Sequence, residues 1–166
     1  MWLFDRFGAS SFASALRAST SLSTLKLSGV GLWHDCDSGG VIVDALRAHP
    51  SLQKIYLSWN RVAHRNLAAV NASLALLVSS NTPHLSELSI SFCKLGDGIR
   101  PILDALAANT HLRVLRCKSM MFTAAFAANV VSLVRQNQGL RKLTMAGGGT
   151  SFCELIDAEA LVAARQ

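Results

Sequence analysis

The sequence predicts an α/β repeat protein, in which short parallel strands alternate with helices in a single stack. One observation is an apolar pattern whose middle residues, at intervals of 30, 33, 27 and 28, are Leu25, Ile55, Leu88, Leu115 and Leu143. Another is that apolar residues at helical spacing separate its occurrences. The third is a composition of 51% hydrophobic and 16% charged residues, which suits units that each bury a strand and a helix. We therefore expect one domain over residues 1–166, with about five repeats.

Each occurrence of the apolar pattern is called a rung and predicts one strand. Its apolar residues lie at offsets of three, two and five, with an asparagine or cysteine tolerated near the end. The five rungs are Leu22/Leu25/Leu27/Leu32, Leu52/Ile55/Leu57/Asn60/Val62, Leu85/Leu88/Ile90/Cys93/Leu95, Leu112/Leu115/Cys117/Met120/Phe122 and Leu140/Leu143/Met145.

Helices are expected before the first rung, between successive rungs and after the last. The apolar spacing predicts helical residues at 12–16, 41–48, 66–80, 102–108, 130–136 and 153–164. Residues 33–40 are expected to form a loop before the second of these helices. Pro83 ends the third helix, whereas Pro101 is tolerated in the first turn of the fourth. Asn109 and Asn137 are expected to end their helices in the left-handed conformation, which asparagine tolerates.

The rungs follow the form L-x-x-L-x-L-x-x-N/C-x-L and resemble leucine-rich repeats of the ribonuclease-inhibitor subclass. Asn60 and Cys93 occupy the N/C position, whereas Gly31, Met120 and Gly148 depart from it. The resemblance implies a horseshoe solenoid with strands on the concave face and helices on the convex face. Members of this subclass are mostly intracellular binding proteins, among them inhibitors and Ran GTPase activators. A cytoplasmic, non-catalytic scaffold is the expectation.

Charge and cysteine usage agree with an intracellular binding protein. The formal net charge of +6 favours an acidic partner, whether a protein surface, a nucleic acid or an anionic membrane. Two of the four cysteines, Cys93 and Cys117, lie at rung positions, and all four are interpreted as reduced and structural. The N-terminus carries Asp5 and Arg6 before any long apolar run, unlike a secretory signal. No segment has the composition of a membrane span.

The rung residues that alternate with the apolar ones are predicted to line the concave face. Their charged members are mainly basic, and Glu87 is the acidic exception. We select as candidate partner-binding residues Lys26, Lys54, Tyr56, Trp59, Arg116, Lys118 and Lys142. Phe92, like Trp59, lies just past a strand and adds aromatic contact area. The alternative is an ordinary solvated face whose lysines discourage edge pairing.

Three binding functions remain open on this pattern. The first is recognition of an acidic protein surface, with Tyr56 and Trp59 as anchors and the lysines steering association. The second is activation of a small GTPase, as the resemblance to Ran activators suggests. The third is binding of RNA or another polyanion, which would weaken steeply with salt. The partner and the attached domains are not encoded in this pattern.

No pattern indicates catalysis, a cofactor or a metal. Asp35 and Asp37 resemble the start of a calcium loop, but its twelfth position is Leu46 rather than glutamate. The glycine run 147–149 is followed by no lysine of a P-loop. The histidines are not paired at zinc-ligand spacing, and no G-x-S-x-G motif occurs.

The two ends of the chain predict self-association. An apolar cluster of Trp2, Leu3, Phe4 and Phe7 precedes the first helix, and the last helix can shield the core with only one of its sides. We therefore expect the chain to be part of a longer array and to associate through uncapped ends.

Overall fold

Five three-residue strands form one parallel sheet in a computed structural model that describes residues 6–145 and 153–165. The strands follow chain order, β1-β2-β3-β4-β5. They are β1 Thr24–Lys26, β2 Lys54–Tyr56, β3 Glu87–Ser89, β4 Val114–Arg116 and β5 Lys142–Thr144. Because neighbouring strands are parallel, each connection must cross from one end of the sheet to the other, and a helix makes that crossing.

Six α-helices in the described residues form a second layer beside the sheet. They are α1 Arg6–Ala18, α2 Cys36–Arg47, α3 Leu67–Ser79, α4 Arg100–Ala108, α5 Ala124–Arg135 and α6 Cys153–Ala163. Short 3-10 turns, His64–Asn66 and Gly96–Ile99, lead into α3 and α4. Each helix packs against the next one along the chain. The predicted α/β architecture with five parallel strands is therefore confirmed.

The core lies between the sheet and the helices. The middle residues of the strands are aligned across the sheet, Leu25 with Ile55, then Leu88, Leu115 and Leu143. The three central ones are fully buried, as the rung pattern predicted. Residues on either side of each middle residue point to the opposite sheet face, because side chains alternate along a strand. None of the described helices forms a layer on that second face, and it is called the strand face below.

The N/C position joins neighbouring rungs by side-chain hydrogen bonds. Asn60 Nδ2 donates to the carbonyl oxygens of Leu27 and Leu57, at 2.6 and 2.9 Å, and its Oδ1 accepts from the Leu32 N–H. The Cys93 thiol donates to the Leu57 oxygen at 3.3 Å. Both side chains are buried, so they satisfy backbone groups that water cannot reach.

Asn109 differs from its sequence-based prediction. Its φ of −82° and ψ of 123° are extended rather than left-handed. Its side chain instead donates to the Val78 oxygen at 2.7 Å and accepts from the Leu112 N–H at 2.7 Å. Asn137 repeats the arrangement by accepting from the Leu140 N–H. Asparagine is therefore used here for hydrogen bonds between repeats, because the turn leaves buried backbone groups to satisfy.

The predicted loop 33–40 is also corrected, because α2 begins at Cys36. Asp35 caps the helix by accepting from the N–H groups of Asp37 and Ser38, both at 3.3 Å. Gly39 lies inside the helix against the indole of Trp33. The acidic residues that resemble a calcium loop thus act as an N-cap and first helical turn, where negative charge is favourable.

The predicted features of the two ends fall only partly within the described residues. Phe7 is 85% exposed, whereas Trp2, Leu3 and Phe4 lie outside that range, as does the glycine run 147–149. The last predicted helix is present as α6. Self-association stays a prediction. Among the described residues no helix is long and apolar enough to cross a membrane.

Candidate functional site

The strand face carries a network of charged and aromatic side chains centred on Glu87. Arg116 Nε lies 2.9 Å from Glu87 Oε1, and the Tyr56 hydroxyl lies near the same carboxylate. Lys26 Nζ lies 5.9 Å from the centre of the Tyr56 ring, at cation–π distance. Burial and the nearby Glu87 charge raise the pKa of Tyr56, so its hydroxyl stays protonated. The network links four consecutive strands.

This network divides the predicted basic face. Glu87 is buried and neutralises Arg116, so the centre of the face is an ion pair rather than a cation. Lys54, Lys118 and Lys142 are exposed, and none of the three forms an ion pair with a described residue. The structure thus brings Lys26, Tyr56 and Arg116 together, whereas the three lysines remain separate cations on the same face.

Trp59 lies away from this network, at the edge of the sheet where the strands end. It is the third residue after β2, and Phe92 is the third residue after β3. Neighbouring parallel strands bring these equivalent positions together, and the two rings stack with centroids 4.0 Å apart and planes 6° from parallel. Gly29 and Ser119 hold the same offset after β1 and β4. These four residues form the inner row.

An outer row lies two residues further along each turn. It consists of Gly31, Arg61, Lys94 and Met121, each the fifth residue after its strand. Met121 is 68% exposed, and Arg61 and Lys94 are exposed cations that form no ion pair within the described chain. The two rows together are called the edge band. The edge band places the apolar side chains of Trp59, Phe92 and Met121 next to the cations Arg61 and Lys94.

Left-handed backbone is concentrated in the edge band. Trp59, Phe92, Lys94, Ser119 and Met121 have φ between 54° and 65°. Such a conformation costs about 1–2 kcal/mol for a residue with a side chain. Hydrogen bonds between rungs maintain it: the Trp59 N–H donates to the Ser91 oxygen at 2.9 Å, and the Phe92 N–H to the Lys118 oxygen at 2.8 Å. The aromatic pair is therefore held in a fixed orientation.

Two grooves run along the edge band. The larger, of about 580 Å³, is lined by both rows across three rungs, and its members are Trp59, Arg61, Phe92, Lys94, Ser119 and Met121. The smaller, of about 290 Å³, lies where the first rung has glycines, and it is lined by Gly29, Gly31, Trp33, His34, Trp59, Arg61, Ala63 and Arg65. Trp59 and Arg61 border both, so the two grooves adjoin at these residues.

Sequence reasoning selected Trp59 but missed Arg61, Lys94 and Met121. The signal was present, because all three have the same offset from their strands. Each of the three lies between the last two buried positions of its rung. The rung pattern records only those buried positions, so the exposed residues between them were not compared from one rung to the next. Glu87 was recognised as the acidic exception, but its contact with Arg116 was not.

Neither buried thiol is suited to nucleophilic chemistry. Burial raises the pKa of Cys93 to about 12, and burial also raises the pKa of Cys117. All four cysteines are free, and Cys93 serves as a hydrogen-bond donor between rungs. In the part of the chain that the structure describes, no three His, Cys, Asp or Glu side chains are arranged to hold a metal ion. The strand face and edge band offer contact area and charge.

Solved structures share this fold at low sequence identity. The leiomodin-1 actin-binding site 2 is 13% identical, with a TM-score of 0.74 over 98% of this chain and 90% of that one. The tropomodulin C-terminal domain of Caenorhabditis elegans is 11% identical, with a TM-score of 0.66 over 95% of this chain and 94% of that one. No protein-family model matches the sequence, and no curated protein sequence is significantly similar to it.

These neighbours correct the resemblance to ribonuclease-inhibitor-like leucine-rich repeats. Two solved structures that match over nearly the whole chain belong to leiomodin and tropomodulin. The rung pattern could not identify the subclass, because it records only which residues are buried in a strand and in the turn that follows it. How the helices stack and how the array closes depend on contacts between repeats, which this pattern does not specify.

Proposed function

We propose that the chain is a non-catalytic protein-binding domain and that actin is its partner. The observation that carries the proposal is the exposed Trp59, stacked on Phe92 and flanked by Arg61 and Lys94. Tryptophan and arginine are the residues in which binding energy concentrates at protein interfaces. A tryptophan 61% exposed but held by stacking offers a large contact surface at little cost in conformational entropy.

Actin is proposed because one similar structure is an actin-binding site of leiomodin-1. At 13% identity this likeness supports the fold, and the partner is carried over as a hypothesis. Neither neighbour is described as a GTPase activator, so we propose no GTPase target. An intracellular location, a single domain over 1–166 and a horseshoe curvature accompany this proposal as predictions.

The binding surface is proposed to combine the edge band with the exposed lysines of the strand face. Lys54, Lys118 and Lys142 would steer an acidic surface towards the sheet, because exposed charges act mainly on the association rate. Tyr56 would contribute its aromatic ring, because its hydroxyl lies near the buried Glu87 carboxylate. Trp59 is then the anchor of the surface.

Co-sedimentation with actin filaments, together with titration of fluorescently labelled monomeric actin, tests this function. We expect saturable binding to one form of actin and a loss of about tenfold or more on Trp59→Ala. Leu76→Ala is the matched control, because Leu76 is also apolar and 53% exposed but lies on α3, in the helix layer. Absence of binding to both forms of actin would remove actin as the partner. Equal effects of the two substitutions would remove Trp59 as the anchor.

A further inference from the structure

The edge band has a gap beside Trp59 where no described side chain covers the indole, and this gap is called the open step. On one side the indole stacks on Phe92, but on the other side the inner row continues as Gly29, which has no side chain. Even a Cβ placed on Gly29 would come no closer than 4.0 Å to Trp59 Cβ. Gly31 extends this gap in the outer row. The smaller groove occupies the step, and its 290 Å³ gives room for one large side chain.

Positively charged side chains line both grooves next to this step. Arg61 and Arg65 line the smaller groove, and Lys94 lines the larger one. Neither groove has a carboxylate among its described lining residues, and none of the three cations forms an ion pair there. A guanidinium group presents parallel N–H donors that match a carboxylate. The open apolar step is therefore bordered by groups suited to bind a negatively charged side chain.

The two grooves extend in one direction, from Gly31 past Arg61 and Lys94 to Met121. Adjacent strands are about 4.8 Å apart, so the path over four rungs is roughly 14 Å long. An extended peptide rises about 3.3 Å per residue and would cover this distance with roughly four to five residues. Because the rows are held by hydrogen bonds between rungs, the path exists before a ligand arrives.

We propose that the edge band binds an extended acidic segment of a partner protein. An apolar side chain of the segment occupies the step beside Trp59, carboxylates on either side of it contact Arg61, Arg65 and Lys94, and Met121 contacts the far end. This inference rests on the proposed protein-binding function and adds the site and the chemistry of the ligand. A protein segment fits better than a nucleic acid, because half of the band is apolar and one face of Trp59 is already covered by Phe92.

Fluorescence anisotropy with defined peptides tests the site directly. The probe is a short fluorescein-labelled peptide in which one leucine is flanked by glutamates. Two comparison peptides carry alanine in place of leucine or lysines in place of the glutamates. We expect saturable binding of the first peptide, a loss of about tenfold without the leucine, and no binding of the lysine peptide.

Charge reversal at two arginines provides the matched variants. Arg61→Glu should weaken binding of the glutamate peptide by about tenfold or more, because it removes a donor and adds repulsion. Arg135→Glu makes the same change of net charge at an exposed residue in the last turn of α5, and it should alter binding by less than about twofold. Thermal unfolding of both variants verifies that they are folded.

Three outcomes would overturn the edge-band site: no saturable peptide binding, equal weakening by the two charge reversals, or tighter binding of a single-stranded oligouridylate than of the peptide. Actin co-sedimentation of Arg61→Glu separates this inference from the proposed function. Actin binding that is unchanged by Arg61→Glu, together with no peptide binding, leaves the function standing and removes the site. Peptide binding without actin binding would support the edge-band site and would exclude actin as the partner.

Discussion

Gly39 and Gly40 are adjacent in α2 but differ sharply in their surroundings. A Cβ on Gly39 would lie 2.6 Å from Trp33 Cε3 and 2.9 Å from the Leu32 oxygen. A Cβ on Gly40 would meet only Ser73 Oγ, at 4.0 Å. Trp33 is fully buried and the Leu32 oxygen is backbone, so neither can move away easily. Gly39 is therefore required for close packing, whereas Gly40 is not.

Alanine substitution at these two positions should have opposite effects on stability. Gly40→Ala should raise the free energy of unfolding by about 0.5–1 kcal/mol, because alanine is the better helix former. Gly39→Ala should lower it by about 1–3 kcal/mol through overpacking against Trp33. Urea unfolding monitored by circular dichroism measures both. Destabilisation of similar size at the two positions would contradict the close approach at Gly39.

His49 is a buried titratable residue at the position that Asn109 and Asn137 occupy in later repeats. It is 1% exposed, its Nδ1 accepts from the Ser51 N–H at 3.2 Å, and its Nε2 has no described partner. Burial lowers the pKa of His49 from its usual 6.5. The imidazole in the folded protein therefore resists protonation.

Acidification should destabilise the protein through His49. Below about pH 6.5 the unfolded chain binds a proton at this residue that the folded chain does not, so stability falls as the pH decreases towards the folded pKa. We expect Tm to fall between about pH 7 and pH 5, and to fall less in His49→Asn, whose amide does not titrate. Differential scanning calorimetry of the wild type and His49→Asn across this pH range measures the two Tm profiles. Parallel pH profiles for the two proteins would exclude His49 as the cause.

At the scale of elements, buried asparagines hold the ends of α4 and α5 to the strands that follow. Asn109 follows α4 and bonds to both the Val78 oxygen and the Leu112 N–H, which belong to neighbouring repeats. Asn137 follows α5 and donates to the Asn109 oxygen at 2.9 Å. The side-chain oxygens of the two asparagines also accept from the buried N–H groups of Leu112 and Leu140, which need acceptors that water cannot supply. The asparagines thus connect consecutive repeats as well as ending helices.

Loss of the Asn109 side chain should be costly. Asn109→Ala should reduce the free energy of unfolding by about 1–3 kcal/mol, because it leaves the buried Leu112 N–H without its acceptor and removes the Asn109 donor from the Val78 oxygen, which keeps the Asn81 N–H. The control is Asn129→Ala, at an exposed residue within α5 whose amide bonds only to the Ala125 oxygen of the same helix. That variant should stay within about 0.5 kcal/mol of the wild type or gain stability. Chemical unfolding of the two variants side by side provides the measurement.

At the scale of the whole molecule, each strand pairs only with the described strands that precede and follow it in sequence. The sheet order β1-β2-β3-β4-β5 and the helix row repeat the order of the chain. Leu88 is fully buried in the central strand β3, whereas Leu25 is only partly buried in the edge strand β1. A change at the centre therefore disturbs interfaces on two sides, and a change at the edge disturbs one.

Leu88→Ala should destabilise the array more than Leu25→Ala does. The expected cost at Leu88 is about 2–5 kcal/mol, as for other truncations of a fully buried leucine. Hydrogen exchange should show lost protection in repeats on both sides of Leu88 but mainly in the first repeats for Leu25→Ala. Equal costs with the same exchange pattern would contradict stability carried by nearest-neighbour contacts.

The sequence alone determined the number of strands, their order and their buried residues. These properties follow from burial with a repeating period, so each rung from Leu25 to Leu143 could be recognised separately. It also identified Asn60 and Cys93 as turn residues and Trp59 as exposed contact area. Such features are local, because a few adjacent residues are sufficient to produce them.

Only the tertiary structure decided how the repeats meet. The pairing of Glu87 with Arg116 joins residues 29 apart, and the stacking of Trp59 on Phe92 depends on left-handed turns at two successive rungs. Contacts of this kind require equal offsets and compatible side-chain rotamers in neighbouring repeats. A periodic pattern of apolar residues does not carry that information, because it records which residues are buried and not what they touch.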